Sequence, residues 1–135
     1  MVTASNPNER TVLEFFAALG SGDLEKVRTF LHPEATWTPQ VKGVPGAGVH
    51  KGHKGIIEEF LAPVRGLFAP GDPKVIVDTI ASNGALVLTE TRGLGRLADG
   101  RAYSNLYCWA FEVVDGKITA IREYMDSHYV AGLFG

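Results

Sequence analysis

The chain has 135 residues, of which 45% are hydrophobic and 21% charged, and its formal net charge is −2. These values are ordinary for a soluble globular protein, and the length suits one domain, 1–135, with a sizeable core. Lys and Arg form no cluster or stripe, which argues against a nucleic-acid partner and against an anionic membrane surface.

The first residues, 1–7, have neither the basic segment nor the apolar segment of a secretory signal peptide. No run approaches the roughly 18 apolar residues that a membrane-spanning helix needs. Cys108 is the only cysteine, so neither an intrachain disulfide nor a cysteine-based zinc site can form. We therefore expect a cytoplasmic protein.

A first helix is predicted from Asn6 onwards. Asn6 is a favourable N-cap, Pro7 suits the first helical position, and Glu9 is placed for a capping-box contact. Apolar residues then recur at helical spacing, namely Val12, Phe15, Phe16 and Leu19. The helix is expected to end at Gly20 or Gly22.

Two further helices are predicted before the strands begin. Asp23 can cap the second, which Pro33 is expected to stop. The third is expected to start near His53 or Lys54, and Pro63 should kink or end it. Their apolar faces are Leu24, Val27, Phe30 and Leu31 in the second helix, and Ile56, Ile57, Phe60 and Leu61 in the third.

The second half of the chain is typical of antiparallel strands. Strands are predicted in 74–81, 85–92, 102–114 and 115–126, with Asn-Gly or Asp-Gly turns between apolar runs. A short extra strand is expected at 35–38. Three helices followed by a four-stranded meander place the chain in the α+β class.

The strand 102–114 is apolar on both faces. One face carries Tyr103, Asn105, Tyr107, Trp109, Phe111 and Val113, and the other includes Leu106, Cys108 and Ala110. A strand with one wet face alternates more cleanly than this. Since helices can cover only one face of the sheet, a partner subunit is the simplest cover for the Cys108 side. The pattern therefore predicts a homodimer.

The stretch 92–96 contains Gly-x-Gly but lacks the third glycine and the strand-to-helix context of a nucleotide site. It is interpreted as a loop. Glu90 and Arg92 share one face of their strand, and they form either an ion pair across the dimer interface or a solvated pair.

Three stretches resemble the superfamily named for nuclear transport factor 2: EFFAALGSGDLEKVRTFLHPEATW near the start, GHKGIIEEFL in the middle and YSNLYCWAFEVVDGKITAIREYMD near the end. That superfamily includes ketosteroid isomerases, SnoaL-like polyketide cyclases, limonene epoxide hydrolases and phenazine biosynthesis A/B proteins. The resemblance implies a curved antiparallel sheet forming a cone, closed by the three N-terminal helices around an apolar pocket.

At the positions that resemble ketosteroid isomerases, the chain lacks their catalytic groups. Phe15 stands where they carry a substrate-binding Tyr on the first helix. Thr38 or Pro39 falls at the position of the proton-shuttling Asp, and Cys108 or Trp109 at that of the second acid. Steroid isomerisation by that mechanism is therefore not expected.

The catalytic set of limonene epoxide hydrolases is also incomplete. Their Arg and Asp on the second long strand are replaced by Thr91 and Gly93, and their water-holding Tyr by Trp37. Only their last carboxylate is retained, as Glu123. The closing REYMD is nearest to SnoaL-like and phenazine-type members, in which a carboxylate at or near this position is implicated in acid–base chemistry.

Glu123 is the leading candidate for a catalytic residue. It shares strand parity with Thr119, Ile121 and Met125, so its side chain is expected on a largely apolar face. Burial there would raise its pKa and allow proton transfer near neutral pH. The alternative is a reversed parity, with Glu123 paired to Lys or Arg in solvent.

Asp126 is a second catalytic candidate, although it can equally end the strand or cap the following turn. His50 and His53 are spaced i, i+3 without a third ligand, so a metal site is not expected. One of these two histidines can reach the mouth of the pocket as a base, and His53 is the candidate. The alternative for His53 is a surface or capping role.

Aromatic and amide side chains are predicted to line the substrate pocket, namely Tyr103, Asn105, Tyr107, Trp109, Trp37 and Phe15. Buried Tyr and Asn side chains need hydrogen-bond partners, which a ligand or water can supply. Plain core packing is the alternative for all of them.

We therefore predict an enzyme that uses carboxylate acid–base chemistry on a small, mostly apolar substrate, with Glu123 transferring the proton and no cofactor. Isomerisation, cyclisation, dehydration and hydrolytic ring opening all suit a lone carboxyl in an apolar pocket. The alternative is a non-catalytic protein that binds a small apolar ligand.

Overall fold

The structure is a computed structural model that describes residues 2–134. The helices are α1 (Pro7–Ser21), α2 (Leu24–Phe30), a π-helical segment (Lys54–Leu61) that continues into α3 (Ala62–Arg65), and α4 (Ser127–Phe134). The strands are β1 (Leu31–Pro39), β2 (His50–Lys51), β3 (Lys74–Asn83), β4 (Leu86–Arg96), β5 (Ala102–Val114) and β6 (Lys117–Met125). No helix within residues 2–134 is long and apolar enough to cross a membrane.

All six strands form one curved, open sheet in the order β2-β1-β6-β5-β4-β3. Strands β3 to β6 form the predicted antiparallel meander, joined by tight turns. Strand β1 lies parallel to β6, and β2 pairs antiparallel with β1 at the edge. The α+β class is confirmed, and the parallel pairing brings the front of the chain beside its last strand.

The core lies between the inner face of the sheet and the helices. The residues predicted to face inward on α1 and on the π-helical segment are all buried, namely Val12, Phe15, Phe16, Leu19, Ile56, Ile57, Phe60 and Leu61. Phe15 is fully buried, and its ring packs against those of Trp37 and Phe111, with centroids 5.7 and 5.5 Å away. Burial of large aromatic side chains is the main stabilising contribution in such a core.

The start of α1 is as predicted, with one difference. The side chain of Asn6 accepts a hydrogen bond of 2.9 Å from the backbone N–H of Glu9. The carboxylate of Glu9 accepts from the N–H of Ser5, one residue before the N-cap, and also from the Ser82 hydroxyl. Because Ser82 lies at the end of β3, this cluster fastens the helix to the sheet.

Pro33 does not act as predicted. Helix α2 ends at Phe30, and Pro33 lies inside β1, which is longer than the predicted 35–38. Pro63 does not end its helix, which was one of the two outcomes predicted for it. The π-helical segment changes to α-helix at Ala62, one residue before Pro63, and the helix continues to Arg65.

The stretch 92–96 is part of β4 and not a loop. Its glycines allow close approach of other side chains: a Cβ on Gly93 would lie 3.0 Å from the ring of Tyr107, and one on Gly95 would lie 2.7 Å from Asp72. These two strand glycines therefore allow close contact with neighbouring side chains and do not form a turn. Within the chain, Nε and Nη2 of Arg92 donate to the Asp78 carboxylate at 2.8 and 2.9 Å, and pairing of Arg92 with Glu90 across a dimer interface stays a prediction.

The outer face of the sheet, which faces away from the helices, is exposed in the single chain. Leu106 is 66% exposed, and Leu88, Tyr124 and Cys108 are also exposed. Ala110 alone among the predicted outer residues of β5 is buried. The helices thus cover one face, as expected, and leave this apolar face without a cover from residues 2–134.

We predict that Asn6→Ala lowers the free energy of unfolding by about 1 kcal/mol, because an N-cap and its contact with Ser82 are lost. Urea unfolding measures the change. Asn8→Ala is the matched control, since Asn8 donates only to the exposed turn carbonyl of Gly84. Equal destabilisation by both substitutions would contradict a capping role for Asn6.

Candidate active site

A cavity of about 120 Å³ lies between the inner face of the sheet and the helices. Its volume is close to that of the apolar protein cavities, about 150 Å³, that take up benzene. The sheet contributes Trp37, Pro39, Val75, Thr91, Arg92, Gly93, Tyr103, Tyr107, Trp109, Glu123 and Met125 to its wall. The helices and loops contribute mainly apolar side chains, namely Leu19, Val41, Val44, Pro45, Phe60, Leu61, Val64, Leu67, Phe68, Pro73, Val130 and Phe134.

The carboxyl group of Glu123 is buried in the wall of this cavity. Only 9% of the residue is exposed, and its Oε1 accepts a hydrogen bond of 2.8 Å from Nε1 of Trp37. Burial raises the pKa of Glu123 to about 7, and the Trp37 hydrogen bond lowers it by a smaller amount. Glu123 can therefore take up and release a proton near neutral pH.

A bulge in β6 directs Glu123 inward. Ala120 pairs with Glu112 whereas Ile118 pairs with Val113, so Thr119 is an extra residue. Such a bulge lets residues on either side of it face the same way, although their spacing is odd. Ile118 and Ile121 are both fully buried, and Glu123 follows Ile121 on the inner face. Thr119 does not share that face, contrary to the prediction, and its hydroxyl donates to the Glu112 carbonyl.

The two tryptophans form the wall around Glu123, and both indole N–H groups are bonded within the protein. Trp37 donates to Glu123, and Trp109 donates to Oγ1 of Thr91 at 2.9 Å. Their rings are 5.6 Å apart and nearly perpendicular, and Phe60 packs on Trp37 in the same way at 5.2 Å. These aromatic contacts fix the indole that donates to the carboxyl.

A second polar group in the cavity is a pair of tyrosines on β5. The hydroxyls of Tyr103 and Tyr107 contact each other, and Nδ2 of Asn105 donates to the Tyr103 oxygen at 3.2 Å. Burial raises the pKa of Tyr103 and raises that of Tyr107 well above the ordinary value. Asn105 is buried beside the pair and does not itself line the cavity.

Three further predicted site residues, besides Asn105, lie outside the cavity. Asp126 is exposed and accepts a hydrogen bond from the N–H of Tyr129, so it caps α4. His53 bonds to the carbonyl of Leu31 at 3.0 Å and joins the third helix to β1. Phe15 belongs to the core behind Trp37. In each case a nearby backbone group or the core holds the side chain away from the cavity.

Several cavity residues were not predicted. Arg65 lines the cavity and donates to the carbonyl of Leu19 at 2.9 Å, and burial lowers its pKa. Val130 and Phe134 reach the cavity from α4, which was not among the predicted helices. Apolar spacing in 127–134 was the pattern that could have indicated this helix. Within residues 2–134, no three His, Cys, Asp or Glu side chains lie together as a metal site would require.

The SnoaL-like domain family matches residues 12–121. The chain belongs to this family. Glu123 lies two residues beyond the matched region, and Trp37, Thr91, Tyr107 and Trp109 lie within it. Positions 91 and 93, where the resemblance places the Arg and Asp of limonene epoxide hydrolases, do line the cavity of this SnoaL-like protein, but as Thr and Gly.

Solved structures share this fold over nearly the whole chain. TerC, co-crystallised with polyporic acid, is 23% identical, with a TM-score of 0.84 over 95% of this chain and 98% of that one. An NTF2-like protein from Burkholderia pseudomallei is 20% identical, with a TM-score of 0.85 over 96% and 98%. An epoxide hydrolase of the LEH-like type from M. tuberculosis is 25% identical, with a TM-score of 0.73 over 93% and 87%. The predicted cone fold and superfamily are confirmed.

We predict that Trp37→Phe raises the pKa of Glu123 above its value of about 7, because the hydrogen bond that favours the ionised form is lost. An NMR titration of the isotope-labelled carboxyl measures it. Trp109→Phe is the control, because it removes a similar side-chain volume but an indole N–H that donates to Thr91 and not to Glu123. A pKa that moves equally in both variants would mean that the indole hydrogen bond has no specific effect.

Proposed function

We propose that this protein is an enzyme that transfers a proton to or from a small, mostly apolar substrate, with Glu123 as the acid–base group. The observation that carries the proposal is the position of the Glu123 carboxyl, which is buried in the cavity wall. Within residues 2–134 its one side-chain hydrogen bond is the one that it accepts from Trp37. A carboxyl placed for structure alone would be expected to have a cation or several donors as partners. The ion pairs described within residues 2–134 join other residues and do not include Glu123.

The pKa of Glu123 suits the role of a general base. At a pKa of about 7 the group is part ionised near neutral pH, and it binds a proton more strongly than an exposed carboxylate. We expect the ionised form to take a proton from the substrate. Activity should then rise with pH through about 7 and level off above it.

The substrate is proposed to be small and largely apolar, because aromatic and aliphatic side chains form most of the cavity wall. Proton transfer by a lone carboxyl supports isomerisation, cyclisation, dehydration or ring opening by hydrolysis. The relatives agree in kind: one similar structure is described as a putative SnoaL-like polyketide cyclase and another as an epoxide hydrolase. The competing function is binding of an apolar ligand without chemistry.

We predict that Glu123→Gln lowers kcat/KM on a turned-over substrate by about 100- to 10,000-fold, because an amide cannot accept and return a proton. Substrate binding should be retained. Glu123→Asp is the matched control, since it keeps a titrating carboxyl but withdraws it by one methylene. Full activity of the glutamine variant would leave ligand binding as the function.

The same variant should change how stability depends on pH. The folded-state pKa of Glu123 is raised from 4.5 to about 7, so the folded state binds the extra proton and its stability falls as pH rises between these values. The shift corresponds to roughly 3 kcal/mol. Glu123→Gln should remove this fall and be more stable than the parent at pH 8, as measured by urea unfolding. A variant that is less stable at pH 8 would mark Glu123 as a structural residue.

We further propose that two chains associate through the outer face of the sheet, defined here by Ile76, Leu88, Leu106, Cys108 and Tyr124. These residues lie on β3, β4, β5 and β6, which are consecutive neighbours in the sheet. Two arginines on this face are paired within the chain, Arg92 with Asp78 and Arg122 with Glu112, while Glu90 lies exposed beside Cys108. A mainly apolar surface with most of its charges paired is suited to self-association.

We predict a dimer in sedimentation at micromolar concentration, and dissociation by Leu106→Glu, which would bury a charge in the interface. Val49→Glu is the control, because Val49 is 67% exposed, as Leu106 is at 66%, but lies in the loop before β2. A parent chain that sediments at its own mass of 14.5 kDa would contradict the proposal.

A further inference from the structure

The tyrosine pair on β5 is held in a defined arrangement. Tyr103 and Tyr107 lie four residues apart on the inner face, and both line the cavity. Gly93 faces them from β4, and a Cβ there would lie 3.0 Å from the Tyr107 ring and 3.5 Å from that of Tyr103. The absence of a side chain at Gly93 therefore makes room for the two rings to meet.

Asn105 determines how the pair is hydrogen-bonded. Its Oδ1 accepts from the backbone N–H of Leu106 at 2.9 Å. A backbone N–H can only donate, which fixes the amide orientation and leaves Nδ2 facing the Tyr103 oxygen. The Tyr103 oxygen is therefore an acceptor from Asn105.

One hydroxyl proton of the pair is left over. The two tyrosines have two hydroxyl protons and share one contact, which uses one of them, whichever residue donates. Tyr129, the nearest other phenol, accepts from the N–H of Ser104 and donates to the Ala102 carbonyl. Within residues 2–134 the remaining proton has no acceptor.

A buried donor without an acceptor costs about 1–3 kcal/mol. A ligand oxygen in the cavity would remove that cost. Glu123 and Arg65 both line the cavity, but the side-chain charge that acts on the two phenols is that of Glu123. The oxygen should therefore be uncharged, because ionised Glu123 repels an anion. The pair therefore favours an apolar molecule that carries one neutral acceptor.

We propose that the Tyr103–Tyr107 pair donates this proton to a neutral oxygen of the ligand, so that the cavity binds small carbonyl compounds in preference to hydrocarbons of the same shape. The proposal rests on the proposed function in that both use this cavity. It concerns binding, and it assigns Tyr103 and Tyr107 a part in specificity that does not require Glu123 to transfer a proton.

The test compares cyclohexanone with methylenecyclohexane, in which a carbon replaces the carbonyl oxygen. Binding is followed by calorimetry and by the fluorescence of Trp37 and Trp109, which line the cavity. In the double variant Tyr103→Phe/Tyr107→Phe, the affinity for the ketone should fall about 10-fold while that for the alkene is unchanged or higher. Unchanged ketone affinity relative to the alkene, or no ketone binding by the parent, would overturn the proposal.

Two controls separate this proposal from others. Tyr124→Phe removes the same hydroxyl from the outer face and should leave the ketone preference intact. Glu123→Gln should also keep that preference, so loss of the proposed acid–base activity and loss of the preference are distinguishable. A Glu123→Gln protein without ketone preference would assign the selectivity to the carboxyl and overturn the role of Tyr103 and Tyr107.

A measurement on the parent covers the case in which the double variant does not fold. The carbonyl stretch of bound cyclohexanone should lie at lower frequency than in an alkane solvent, because a hydrogen bond weakens the C=O bond. Tyr124→Phe should show the same lowered frequency. An unshifted carbonyl band in the parent would overturn the proposal.

Discussion

The burial of the Glu123 carboxyl is the interaction on which the site depends. Removal from water destabilises its charged form, and one indole N–H from Trp37 offsets part of that effect. A single donor leaves the pKa near 7, whereas several donors or a cation would return it to the acidic range. The chemistry available to this protein therefore follows from how few partners the carboxyl has.

The aromatic core keeps further hydrogen-bond donors and cations away from the Glu123 carboxyl. Trp37, Phe60 and Trp109 pack edge to face around the carboxyl, and Phe15 supports Trp37 from behind. These rings exclude charged side chains from Glu123 and also make the cavity wall apolar. The same packing thus raises the pKa of the acid and selects apolar molecules for the space beside it.

The sheet divides the molecule into two surfaces with different roles. Its inner face holds Glu123 and the tyrosine pair, while its outer face holds exposed apolar residues such as Leu106 and paired charges such as Arg92 with Asp78. Because successive residues of a strand alternate between faces, each strand contributes to both surfaces.

The sequence alone determined the helix starts at Asn6 and Asp23 and the turns of the meander, because capping and turn residues act over a few neighbouring positions. Strand parity favoured the inward direction of Glu123 without deciding it. The cone shape of the sheet was expected from the family resemblance. Only the tertiary structure decided which group faces Glu123, since Trp37 lies 86 residues away and its donor role leaves no local pattern. Asp126, by contrast, caps α4 through a local contact, one of the alternatives that the sequence offered. The packing of α4 and Arg65 against the cavity was again decided by the tertiary structure, because it depends on contacts between distant segments.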